Sequence, residues 1–96
     1  MIPYYVHKNR IYPLPVVIRA TGKIEVLKYE GSQLLSLQKA VDGYIEVVPL
    51  PGDPGLVLIA DEEGLLKKKP LNLLATEMVR NPIVGDVVLM ERNQLD

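Results

Sequence analysis

The chain has 96 residues, 48% of them apolar, with a formal net charge of −1. That is enough for one core and too little for a second catalytic lobe, and near-neutral charge leaves out the bulk attraction on which non-specific nucleic-acid binding depends. Phe, Trp and Cys are absent and His7 is the one histidine, so the core is aliphatic, disulfide and thiol chemistry are excluded, and no multi-histidine metal site can form within one subunit.

The longest apolar runs are about five residues, against the roughly 20 needed to span a bilayer. Met1 to Tyr5 lacks the charged-then-apolar plan of a signal peptide. We therefore expect no membrane association and a cytoplasmic location. An aliphatic core of this size hides less area per residue than an aromatic one, and a homo-oligomer is expected as the way to hide more. The charges are also unevenly placed. Residues 1–28 carry five basic groups against one acid, whereas residues 29–66 carry one against seven.

Residues 1–15 read as an N-terminal arm or loose hairpin, broken by Pro3, Pro13 and Pro15 around the polar turn His7-Lys8-Asn9-Arg10. Residues 16–96 read as one small domain. Val16 to Ala20 is a strand, Thr21-Gly22-Lys23 a tight turn and Ile24 to Tyr29 the returning strand. Ser32 then offers an N-cap to a helix with Leu34, Leu37, Ala40 and Val41 at helical spacing, which Gly43 should stop in a left-handed conformation. Tyr44 to Leu50 and Leu56 to Ala60 are strands joined by the stiff turn Pro51-Gly52-Asp53-Pro54-Gly55, the second of them a central strand. Asp61-Glu62-Glu63-Gly64 is a further turn. Beyond Lys67-Lys68-Lys69, Pro70 should open a helix whose apolar stripe is Leu71, Leu74, Ala75 and Met78. Ile83 to Met90 is the last strand, bent at Gly85-Asp86, and Glu91 to Asp96 a frayed polar tail. The fold class is α+β. The order is β-β-α-β-β-α-β behind an irregular arm, with both helices packed on one face of a mostly antiparallel sheet.

Four motifs in this order carry a resemblance. They are Leu37 to Leu50, Asp61 to Gly64, Pro70 to Thr76 and Ile83 to Val88. Together they resemble a small family borne by phages, plasmids and their bacterial hosts, catalogued as a domain of unknown function, number thirty-eight forty-six. The resemblance spans roughly residues 16–90. It implies a mobile-element or viral origin, and hence the host cytoplasm, and it implies no established reaction.

The candidate site residues fall in three places. Tyr4, Tyr5, Lys8, Arg10 and Tyr12, with His7, interleave rings that can stack on a base with cations that can hold phosphate. Read as plain structure, they form an edge hairpin or subunit-swapping arm. Lys67, Lys68 and Lys69 precede the expected helix start, where free N–H groups favour anions. The plain reading is a solvated turn. As matches to the motifs of the family that the chain resembles, Asn72, Tyr44 and Glu46 can line a shared pocket; read as plain structure, Asn72 helps cap a helix and Tyr44 closes the end of the first helix. Asp61, Glu62, Glu63 and the Gly85-Asp86 bend are explained by turn chemistry, since none has partners at a ligand spacing. No serine lies in an activating motif, so no catalytic residue, cofactor or metal is assigned.

The leading expectation is a non-catalytic, oligomeric counter-defence protein that sequesters a small anionic, nucleotide-derived signal at a subunit interface. The alternatives are a protein-interaction module that inhibits or adapts a host or viral protein, and a DNA-associated accessory factor.

Overall fold

A computed structural model describes residues 3–96; Met1 and Ile2, the first two positions of the expected arm, lie outside the described residues. The arm is a regular antiparallel hairpin, β1 (Tyr4–His7) and β2 (Arg10–Pro13). The main sheet has five strands: β3 (Val16–Ile18), β4 (Ile24–Val26), β5 (Ile45–Leu50), β6 (Asp53–Asp61) and β7 (Val87–Glu91). They lie in the order β4-β3-β7-β6-β5 with every neighbour antiparallel. Helix α1 (Gln33–Val41) joins β4 to β5, and α2 (Leu73–Val79) joins β6 to β7. The α+β class and the expected element order stand. The apolar run ending at Ala60 is an interior strand, but the middle of the sheet is the later strand β7.

The helices do not share a face. Directly opposed residues of antiparallel strands point to the same side, and Val16, Leu58 and Leu89 are aligned by pairing, as are Val17, Ile59 and Val88. The first set packs with Ala75 and Val79 of α2, and the second with Leu37 and Val41 of α1. The expectation of both helices on one face is therefore corrected. Strands β3, β6 and β7 are apolar at successive positions, not alternate ones, and such strands need cover on both sides. Helix α1 covers one side; α2 and the hairpin, through Tyr5 and Tyr12, cover the other.

Local chemistry explains the element ends. The Ser32 side chain accepts the Leu35 N–H at 3.1 Å and caps α1, a contact worth about 1 kcal/mol. At the other end Asp42, with φ 57°, takes the left-handed position expected of Gly43. Gly43 is needed for another reason, since a Cβ there would run into the Asp61 carboxylate. Leu34 is exposed, so α1 contacts the sheet through a narrower stripe than expected. Helix α2 starts later than Pro70 suggests, with Asn72 as its N-cap, while Leu71 bridges to Val84 instead. The tail is not frayed. Residues Arg92–Gln94 form a 3-10 turn, Gln94 Nε2 donates to Leu14 O at 3.3 Å, and Asp96 N donates to Gln33 Oε1 at 2.8 Å. Among the described residues no helix is long and apolar enough to cross a membrane.

Candidate functional site

The hairpin turn places Lys8 and Asn9 at φ 49° and 64°. Two successive left-handed residues are the mark of a two-residue hairpin loop whose twist matches its strands. Asn tolerates that geometry; Lys adopts it at a cost of about 1 kcal/mol. Pairing of Tyr5 with Tyr12 and of His7 with Arg10 sets these four on one face, leaving Tyr4, Val6, Ile11 and Pro13 on the other. The Tyr5 ring stacks over His7 at a centroid distance of 5.9 Å. Burial against the core, then the nearby Glu77 carboxylate and Tyr12, push the Tyr5 phenol up and keep it protonated.

Facing this hairpin is the β3–β4 turn, where Arg19 N donates to Lys23 O and Gly22 N to Arg19 O, both at 2.8 Å. Gly22 closes it at φ 96°, a conformation that favours glycine. Between hairpin and turn lies a cleft of about 330 Å³ lined by His7, Lys8, Arg10, Tyr12, Gly22, Lys23 and Ile24. Its charged side chains are all basic. Among the described residues Lys8 and Arg10 make no ion pair, while Lys23 lies 3.2 Å from Glu25.

The other candidates go elsewhere. Tyr4 stands on the outer hairpin face, 59% exposed, and Tyr5 packs inward. The lysine triplet does not sit at a helix N-terminus, because α2 begins at Leu73. Instead Lys67 and Lys69 fold back onto the C-terminal end of α1. Lys69 Nζ donates to Val41 O at 2.7 Å and Asp42 O at 3.0 Å, and Lys67 Nζ to Asp42 O at 3.0 Å. Both also bind Asp61 Oδ2, at 2.8 and 2.9 Å. These ammonium groups thus satisfy the last carbonyls of a helix and its negative end, the reverse of an anion site.

Asp61 is the centre of this cluster, its side chain 1% exposed. Burial alone would push its carboxyl up, but hydrogen bonds from Lys69, Lys67 and the Glu63 N–H, with the Lys69 charge, outweigh that and hold it at about 2. Lys68, at φ 55°, is exposed and lines neither this cluster nor the cleft.

Asn72 is buried and its side chain is fully engaged. Nδ2 donates to Ile18 O and Gly85 O, each at 2.9 Å, and Oδ1 accepts the Ala75 N–H at 3.1 Å. It ties α2 to β3 and to the bend before β7. Tyr44 and Glu46 do not share a pocket: the first flanks Lys67, the second Pro82.

Sequence reasoning missed a second charged cluster. Arg19 bridges Asp86, at 2.9 Å, and Glu25, at 3.0 Å, and Asp86 also accepts the Ala20 N–H at 2.8 Å. Hydrogen bonds to Asp86 and then Glu25 raise the guanidinium pKa, and Arg19 in turn holds the Glu25 carboxyl down. Arg19 and Asp86 are 67 positions apart, so no local spacing announces the pair. A concavity of about 470 Å³ forms a groove beside this cluster, between β4 and α1. Among the described residues no group of three or more His, Asp or Glu side chains is placed to hold a metal ion.

The sequence matches one protein family, described as a domain of unknown function (DUF3846), over residues 15–95. The chain belongs to that family. No curated protein and no solved structure matches it. The match begins just after the hairpin, so the whole hairpin wall of the basic cleft (His7, Lys8, Arg10 and Tyr12) lies outside the matched DUF3846 region.

Proposed function

We propose that this DUF3846 chain is a non-catalytic binding protein that holds a small, phosphate-bearing ligand of nucleotide type in the hairpin cleft. The supporting observation is the single sign of the cleft's charge: Lys8, Arg10 and Lys23 line it beside His7, and no carboxylate does. Lys8 and Arg10, which unlike Lys23 make no ion pair among the described residues, gain most from an incoming phosphate, and Arg10 can meet two phosphate oxygens at once. Tyr12 supplies a ring for a base. A volume of about 330 Å³ suits one nucleotide and lies at the small end of ligand sites. In the setting that the family resemblance implies, the role is counter-defence by sequestering a host signal in the cytoplasm. A second subunit would pack on the exposed Tyr4, Val6 and Ile11 face, on the other side of the hairpin from the cleft.

Calorimetry with a panel of cyclic and linear nucleotides tests this reading. Binding to the wild-type chain is expected, weakened at least about tenfold in Arg10→Ala, the loss of one charge-assisted hydrogen bond. No heat across the panel at high micromolar concentration abolishes it.

A further inference from the structure

The sheet has one open edge that lies against a groove. Strand β4 ends the sheet and pairs on one side only. The hydrogen bonds Arg19 N to Lys23 O and Leu27 N to Pro15 O fix the phase of that pairing. In an antiparallel ladder, backbone groups alternate in direction. Lys23, Glu25 and Leu27 therefore face β3, and the N–H and C=O groups of Ile24 and Val26 point away from it. Val26 is 46% exposed.

Beside this edge runs the groove of about 470 Å³. Its apolar floor includes Val17, Leu27 and Ala40, and its outer lip is Leu35, 63% exposed. Glu25 is neutralised by Arg19 and Lys23. Lys28 and Lys39 also line the groove and make no ion pair among the described residues, against one unpaired carboxylate, Glu30. The opposite edge, β5, is guarded: continuing the alternation from Glu62 N to Tyr44 O places Ile45, Val47 and Pro49 outward, and Pro49 has no N–H to offer.

We infer that the β4–α1 groove is a docking site for an extended, acidic peptide segment of a partner protein, which adds as a sixth strand to the sheet. Ile24 and Val26 supply the main-chain hydrogen bonds. Leu35 and the groove floor take apolar side chains, and Lys28 and Lys39 select for carboxylates. The proposal shares Lys23 and Ile24 with the hairpin cleft but needs no ligand bound there, and either can fail alone.

The test uses a displayed library of random nine-residue peptides panned against the full chain. Winners are expected to be proline-poor, to alternate apolar and acidic residues, and to protect the amide protons of Ile24 and Val26 from exchange. Lys28→Glu/Lys39→Glu, a purely surface change, is expected to weaken the winning peptide about tenfold or more and to shift selection toward basic sequences. Val26→Pro, which removes an outward-facing donor, is expected to abolish binding. If it unfolds the chain, the double lysine variant decides. The inference is overturned if no peptide is selected, if winners are basic or leave Ile24 and Val26 unprotected, or if the double variant binds them unchanged.

Discussion

Two basic clusters that look alike in the sequence have opposite physical standing. Lys67 and Lys69 close on a buried carboxylate and the end of α1, so their charge is consumed inside the molecule. Lys8 and Arg10 stand on a hairpin with no ion-pair partner among the described residues, and their charge is available to a visitor. A run of lysines is thus a poor guide to an anion site. What separates the two clusters is a carboxylate six residues before Lys67, which no ligand-spacing rule brings to attention.

Breaking the inner cluster should give the largest effect. Asp61→Ala leaves the Lys69 ammonium, 14% exposed, with only the more distant Asp42 carboxylate at 3.7 Å and is expected to cost about 3 kcal/mol in urea unfolding. Nucleotide binding by the folded fraction should survive. The same contact predicts an acid dependence. The Asp61 carboxyl is held at about 2, below its ordinary 3.8. Its contribution is therefore fully present above about pH 4 and drains away as pH falls toward 2. Urea midpoints measured from pH 5 to 2 should fall more steeply for the wild type than for Asp61→Asn.

The outer cluster responds the other way. Lys8→Gly relieves a left-handed lysine and should raise stability by about 0.5 kcal/mol while weakening nucleotide binding. Loss of stability with unchanged binding would mean that Lys8 is only a turn residue. Lys68→Ala marks the zero of the scale. It should change neither melting temperature nor nucleotide affinity, since its exposed side chain lines neither cluster.

Much of the fold was legible. Pro51-Gly52 announces the β5–β6 turn, although Asp53, Pro54 and Gly55, expected in it, already belong to β6; Ser32 announces the start of α1, and the β-branched runs their strands. Sidedness was not. An apolar run without alternation, such as Val87 to Met90, says that a strand is buried but not which helix covers which face. The end of α1 was misplaced by one residue because Asp, like Gly, can adopt a left-handed turn. The tail read as frayed because its anchors, Gln33 and Leu14, lie 61 and 80 positions from Gln94. At the candidate site, the hairpin's alternation brought Lys8, Arg10 and Tyr12 together as local pattern allows. Asn72 was recognisable as a cap but not as the tie between Ile18 and Gly85, which depends on tertiary neighbours.

The two-sided burial of β7 has a consequence for how the chain finds its alignment. Slipping Val87-Val88-Leu89-Met90 by one position exchanges one oily surface for another, so water repulsion scarcely discriminates between the two threadings. Discrimination falls to the flanks. Asp86 must meet both the Arg19 guanidinium and the Ala20 amide, and Gln94 must reach the Glu91 amide and the Leu14 carbonyl. The central strand behaves as a greased bolt whose position is set by the polar stops at its two ends.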